Sequence, residues 1–125
     1  MERMEDLTEN LLIAYWNTKQ VLILEFIEHA YELLVYMNIT DDEEVVKEAS
    51  RNLRNTIKRC AAQLGVAEKV FGEEFTKDLR ERFEELLRDV EEMDKIIAKR
   101  FPDRAEELIT SRLWNNTFNY GVGGG

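Results

Sequence analysis

Four side chains that could bind a metal ion lie close together in this sequence. They are Glu25, Glu28, His29 and Glu32, at spacings of three, one and three residues. Because positions i, i+3, i+4 and i+7 share one face of an α-helix, these side chains are expected to converge. Carboxylates and an imidazole together bind zinc, iron or manganese. The sequence therefore predicts either a divalent-metal site or a solvent-facing polar stripe at this position.

The metal interpretation depends on ligands from a second chain. Ferritin-like bundles hold two metal ions with a Glu-x-x-His motif from each of two helices and a Glu from each of two others. Here Glu25 and His29 are four residues apart, and His29 is the only histidine. A two-metal site within one chain is not expected, whereas a two-fold dimer could bring two copies of the cluster together.

Enzymatic alternatives find little support in the residues. Glu25 and Glu28 resemble the first half of the motif of all-α nucleotide pyrophosphatases, which implies Mg²⁺-dependent hydrolysis of a nucleotide. The second half of that motif needs Glu-x-x-Asp on another helix. Helix 2 offers Glu44 and Glu48 but not the required Asp. Glycine-rich phosphate loops and Ser/His/Asp or Cys/His sets are absent from the sequence. Catalysis is not the favoured interpretation, and no cofactor other than a divalent metal is expected.

The cluster belongs to the most apolar run of the chain, Val21 to Ile39. Asp6 and Glu9 form a capping box that predicts a first helix from near Leu7 to Asn38. Asn17 and Thr18 are poor helix formers, so a bend or break is possible there. The predicted inward positions alternate by four and three residues: Ile23, Ile27, Ala30, Leu34 and Met37.

Two further long helices follow the first. A capping box at Thr40 to Glu43 predicts the start of helix 2, and Gly65 predicts its end, before a short connector from Val66 to Gly72. Its heptad seam is Val46, Ser50, Leu53, Ile57, Cys60 and Leu64. Helix 3 is expected from about Glu73 to Arg100, with a seam of Leu79, Phe83, Leu86, Val90, Met93 and Ile97.

Pro102 should end helix 3, and a capping box at Asp103 and Glu106 predicts a shorter helix through about Trp114. The predicted fold is therefore all-α: an antiparallel helical bundle of three long helices plus a shorter C-terminal helix. Residues 1–117 are expected to form one domain, followed by a flexible glycine-rich tail over residues 118–125.

The net charge of −9 over 125 residues argues against direct binding to nucleic acid, which needs clustered Lys and Arg. One cysteine, Cys60, excludes an intrachain disulfide, and its seam position predicts a buried thiol. The first residues lack the pattern of a signal peptide, which favours a cytoplasmic location. Three Glu and one His within residues 21–39 argue against a membrane span.

Helix 1 is apolar over more surface than two neighbouring helices can cover. It should also extend beyond a shorter helix 2 and leave Leu11, Leu12 and Tyr15 uncovered. Exposed apolar patches of that size mark interfaces, and a two-fold dimer is the commonest closure. The leading interpretation is a non-catalytic interaction or structural protein that self-associates through helix 1, with a protein partner also possible. The alternatives are a metal-binding or metal-dependent bundle and an acidic inhibitor that mimics nucleic acid.

Overall fold

The computed structural model describes the backbone of residues 2–108 and the side chains of residues 6–106 and 108. Helix α1 spans Glu2–Ile39, α2 spans Glu43–Phe71 and α3 spans Lys77–Arg100. A 3₁₀ turn over Pro102–Arg104 then leads into a short helix, α4, over Ala105–Leu108. The described residues contain no strand. The prediction of an all-α chain with three long helices is confirmed.

The fourth element differs from the prediction over its described part. Asp103 lies within the 3₁₀ turn Pro102–Arg104 and does not begin a continuous α-helix. Only four α-helical residues follow that turn up to Leu108. The remainder of the predicted helix and the tail over residues 118–125 lie outside the described residues.

Helix α1 is one unbroken element of 38 residues. At a rise of 1.5 Å per residue it is about 57 Å long. It begins at Glu2, ahead of the predicted start at Leu7, and it passes through Asn17 and Thr18 without a break. The Thr18 hydroxyl donates to the Ala14 carbonyl at 2.9 Å, so its polar group is satisfied within the helix.

The turn between α1 and α2 is built by short polar side chains. Asp42 is the N-cap of α2, and its Oδ1 atom accepts a hydrogen bond from the Glu44 N–H at 2.9 Å. The Thr40 hydroxyl oxygen accepts from the Asp42 N–H at 3.2 Å. These contacts satisfy N–H groups that lack a partner within the helix. They place the N-cap of α2 at Asp42, two residues after Thr40, the N-cap of the predicted capping box.

Arg100 joins the end of α3 to the end of α1. Its guanidinium donates to the carbonyls of Met37 and Asn38, each at 3.1 Å, and to the carbonyl of Thr40. It also forms an ion pair with Asp41 at 3.0 Å. Carbonyls at a helix C-terminus lack intrahelical donors and carry partial negative charge, so a cation is favourable here. The C-termini of α1 and α3 therefore lie at the same end of the molecule.

The predicted end of α2 at Gly65 is wrong. The helix continues for six more residues to Phe71 and ends at Gly72, which adopts a φ of 90°. A glycine inside a helix costs about 1 kcal/mol relative to alanine. That local cost is offset because the extension buries Ala67 completely and brings Phe71 against the core.

Helix α3 begins at Lys77, four residues after the predicted start at Glu73. Thr76 precedes it and is fully buried. The Thr76 hydroxyl donates to the carbonyls of Gly72 and Glu73 at 3.1 and 3.2 Å. These hydrogen bonds favour a compact turn over residues 72–76 in place of the helical start that the acidic residues suggested.

The core lies along one side of α1, which packs against both α2 and α3. Every residue of the predicted seams of α2 and α3 is buried except Met93, which is half-buried. The Cys60 thiol lies 3.9 Å from the Ile23 carbonyl, so α2 approaches the backbone of α1 closely there. The small thiol permits that approach, whereas a longer side chain would separate the two helices.

Pairs of contacts fix the direction of α2 against α1. Cys60 is next to Ile23, Gln63 accepts a hydrogen bond from Lys19, and Phe71 contacts Tyr15. Numbers rise along α2 as they fall along α1, so the two helices are antiparallel. Because α2 ends opposite Tyr15, residues 2–14 of α1 extend beyond it by about 20 Å.

Candidate functional site

The structure places all four predicted metal ligands on the exposed side of α1. The side chains of His29 and Glu32 are 53% and 64% exposed, and the His29 Nδ1 atom lies 3.6 Å from the Glu32 Oε2 atom. Glu25 and Glu28 are also exposed. This contact between neighbouring turns is the one side-chain pairing that the structure records for the cluster within the described part of the chain.

A shallow groove of about 400 Å³ separates α1 from α2 beside this cluster. Its lining consists of Leu22, Glu25, Phe26, His29, Asn52, Asn55, Thr56 and Arg59. Glu25 and His29 therefore lie at the exposed edge of this groove, while Glu28 and Glu32 are not part of the lining. The groove combines a carboxylate, an imidazole, a guanidinium and two amides with the partly buried side chains of Phe26 and Leu22, so it can form hydrogen bonds with small polar groups.

Sequence reasoning missed the α2 side of this groove. Asn52, Asn55 and Arg59 follow one another at three and four residues along α2, which places them on one flank of that helix. These residues can be recognised as part of a groove only when the register between α1 and α2 is known. Cys60 lies next to Ile23 in that register, and Arg59 then lies near Glu25.

A metal site within one chain finds no support in this geometry. No group of three or more His, Cys, Asp or Glu side chains among the described residues is arranged to hold a metal ion. The groove would offer two such ligands, Glu25 and His29, whereas zinc sites use at least three protein ligands. Metal binding by Glu25, Glu28, His29 and Glu32 stays a prediction, and it requires a second chain.

Among the described residues, seven exposed apolar side chains lie on the N-terminal part of α1 and near the end of α2. We call this group the N-terminal apolar surface and define it as Leu7, Leu11, Leu12, Ile13, Tyr15, Val70 and Phe75, which are 40–60% exposed. The first four lie on the part of α1 that extends beyond α2. The predicted exposure of Leu11 and Leu12 thus has a structural cause, because the described parts of α2 and α3 do not reach them. Tyr15 packs against Phe71 at the end of α2 and is still 40% exposed.

Aromatic rings form the base of this surface. The ring centroid of Trp16 lies 5.1 Å from that of Phe71 and 4.6 Å from that of Phe75, both in edge-to-face geometry. Tyr15 packs 5.8 Å from Phe71, and Lys19 Nζ lies 5.4 Å from the centre of the Tyr15 ring. Edge-to-face aromatic pairs are favourable beyond the area they bury. The extended part of α1 therefore starts from a well-packed base.

Charged groups elsewhere in the molecule serve to join helices. Arg80 of α3 forms an ion pair with Glu68 of α2, and the Tyr31 hydroxyl of α1 donates to Asp89 of α3. Burial raises the pKa of Tyr31, and the hydrogen bond to Asp89 raises it further. These groups hold the three helices together.

Cys60 offers no reactive thiol. It is 1% exposed, and burial raises its pKa to about 12. Because the thiolate is the reactive form, this cysteine behaves as a small buried hydrophobic residue, as the seam position predicted.

None of the described helices has a stretch apolar enough and long enough to cross a membrane. In comparisons with known proteins, no family model, no curated protein and no solved structure matches the chain. Inferences about function therefore depend on the surfaces of the molecule itself.

Proposed function

We propose that this chain is a non-catalytic helical-bundle protein whose function is protein–protein interaction, and that it self-associates through the N-terminal half of α1. The observation that carries this proposal is the N-terminal apolar surface. Leu7 and Leu11 are 58% and 60% exposed, and Leu12 and Ile13 on other sides of the same turns are 49% and 54% exposed. A helix that is apolar around most of its circumference is normally covered.

The size of this surface suits a dimer. Each of the seven side chains presents about 150–200 Å² of surface when free, and each remains about half exposed. Together they leave on the order of 500–700 Å² of apolar surface uncovered per chain. Two copies that cover each other would bury about 1,000–1,400 Å² from these side chains alone, which approaches or enters the range of stable protein interfaces. A second copy that covered these side chains would therefore form an interface of ordinary size.

Self-association also agrees with the position of the surface. It lies at the end of the molecule where α2 and α3 stop short of α1, so a second chain can approach it without displacing a packed helix. A two-fold axis near this end would pair like surfaces, which is the commonest closed arrangement of identical subunits.

Replacing Leu11 with glutamate tests the proposal. The side chain contacts solvent in the single chain, so Leu11→Glu leaves the fold intact, while burying its carboxylate at an interface would be unfavourable. We expect the wild-type chain to be dimeric by light scattering at tens of micromolar, roughly the range in which modest interfaces form, and the variant to be monomeric.

Val35→Glu provides the matched control. Val35 is 58% exposed and lies on the same helix, but it is 24 residues away from Leu11. This variant should remain dimeric. A monomeric wild-type chain at these concentrations, or equal effects of the two substitutions, would contradict the proposal.

A further inference from the structure

The side of α1 that points away from the core carries a second regular pattern. Leu7, Leu11, Ala14, Thr18 and Val21 follow one another at four, three, four and three residues, and all five are exposed. At 100° per residue they form a stripe opposite the buried positions such as Ile23. We call these five residues the outer stripe. They include no charged side chain, and Leu7, Leu11 and Val21 are 55–60% exposed.

The same side of α1 changes character after Val21. The next positions in the pattern are Glu25, Glu28 and Glu32, which are exposed and acidic. A stripe that faces only water is expected to be charged, and this acidic stretch fits that expectation. The outer stripe carries no charged side chain, although it is equally distant from the core. Its spacing is that of a coiled-coil seam, in which positions alternate by three and four residues and pack against another helix.

We propose that the outer stripe of one chain packs against the outer stripe of a second copy, with the two α1 helices antiparallel. This inference rests on the proposed self-association and adds the direction of pairing and the face that pairs. That face includes Leu7 and Leu11 of the N-terminal apolar surface, whereas Leu12 lies on the inward side of α1 and outside it. In an antiparallel pair centred on Ala14, Leu7 of each chain lies opposite Val21 of the other. Ala14 at the centre is small, so the helices can approach each other closely there.

Charge selects the antiparallel direction. A parallel pair would place Glu25, Glu28 and Glu32 of one chain beside the same three residues of the other, and like charges at that distance are unfavourable. The antiparallel pair instead places the two acidic stretches at opposite ends of the paired region, so that they do not meet.

Introduced cysteines distinguish the two directions. Asn10 and Thr18 are both exposed and outward-facing, and neither is one of the large apolar side chains. In the antiparallel pair residue 10 lies opposite residue 18, whereas two copies of residue 10 are eight positions apart, or about 12 Å. Cysteines whose Cα atoms are more than about 7 Å apart cannot form a disulfide. The buried native Cys60 will not compete, because its thiol is inaccessible.

The experiment compares Asn10→Cys and Thr18→Cys alone and as an equimolar mixture, with a mass tag on one of them, under mild oxidation. We expect the mixed disulfide to form at least about tenfold faster than the disulfide of either variant alone, because only the mixed pair falls within bonding distance. Ala14→Cys, at the centre of the stripe, should form a disulfide with itself.

Each other result has its own meaning. Rapid disulfides in both single variants would show parallel helices and overturn the inferred direction while leaving self-association intact. A dimer by light scattering that forms no disulfide in any variant, including Ala14→Cys, would show that another face forms the interface and overturn the inferred face. A chain that stays monomeric by light scattering would remove the proposed function itself.

Discussion

Two halves of one helix, α1, expose the same side to the surroundings with different side chains. From Leu7 to Val21 the outward positions are apolar or uncharged, and from Glu25 to Glu32 they are acidic. Both stretches lie opposite the core side of the helix, so burial within the chain cannot explain the difference. The acidic stretch has the composition expected of a side that meets water, and the next positions along the same side, Val35 and Ile39, are exposed and apolar. We propose contact with another molecule as the reason that the stretch from Leu7 to Val21 is uncharged.

The inward side of α1 shows a related difference. From Ile23 to Met37 it is buried against α2 and α3, while Leu12 and Ile13 remain about half exposed because α2 ends opposite Tyr15. The length of α1, which exceeds that of α2 by nine residues, is thus what leaves apolar side chains without cover. An overhang of this length is unfavourable in isolation and becomes favourable when a second chain covers it.

The largest expected effect is a difference in the free energy of unfolding between substitutions in the buried part and in the exposed part of α1. Ile23 is fully buried, so Ile23→Ala should lower the free energy of unfolding by about 2–5 kcal/mol. Leu11→Ala should change it by less than about 0.5 kcal/mol in dilute protein, where the chain is monomeric. Urea denaturation at low micromolar concentration measures both. A cost for Leu11→Ala close to that of Ile23→Ala would mean that the overhang is already packed within one chain.

Most of the fold could be predicted from the sequence because spacing alone defines a buried face. The seams of α2 and α3 repeat at three and four residues, and those residues are buried as expected. Gly65 predicts a helix end because the local cost of a glycine is visible in the sequence. The burial of Ala67 and Phe71, which favours the longer helix, depends on packing against another helix and is not visible in the local sequence.

The candidate sites were harder to predict for the same reason. Arg59 joins Glu25 and His29 only through the register between α1 and α2, which no local pattern reveals. Ala14 and Thr18 do not resemble interface residues individually. They become part of a stripe only once the core side of α1 is known, because the opposite side can then be identified.

A smaller effect is expected from extending the acidic stretch into the outer stripe. Val21 is 55% exposed, so Val21→Glu should leave the stability of the single chain nearly unchanged. At the interface it would bury a carboxylate opposite Leu7, and the dissociation constant should rise about tenfold to a hundredfold, or roughly 1.4–2.8 kcal/mol. Sedimentation equilibrium measures the constant. Val45→Glu on α2, at 39% exposure, is the control and should leave the constant unchanged.

The smallest effect is expected from metal ions. In an antiparallel pair centred on Ala14, the two copies of His29 lie thirty positions apart, so the two clusters of Glu25, Glu28, His29 and Glu32 cannot share a metal. Addition of zinc or manganese should then leave both the melting temperature and the mass of the protein unchanged. A zinc-dependent rise in melting temperature that His29→Ala abolishes would instead support the metal site and place the two-fold axis near His29.

The central claim is that the uncharged half of α1 binds a second copy of the chain, and sedimentation equilibrium of the unmodified protein tests it most directly. At an ionic strength near 0.15 M, where repulsion between chains of charge −9 is screened, the average mass should rise with concentration from 14.8 kDa toward twice that value. A mass that stays at 14.8 kDa up to roughly 100 µM would contradict the account.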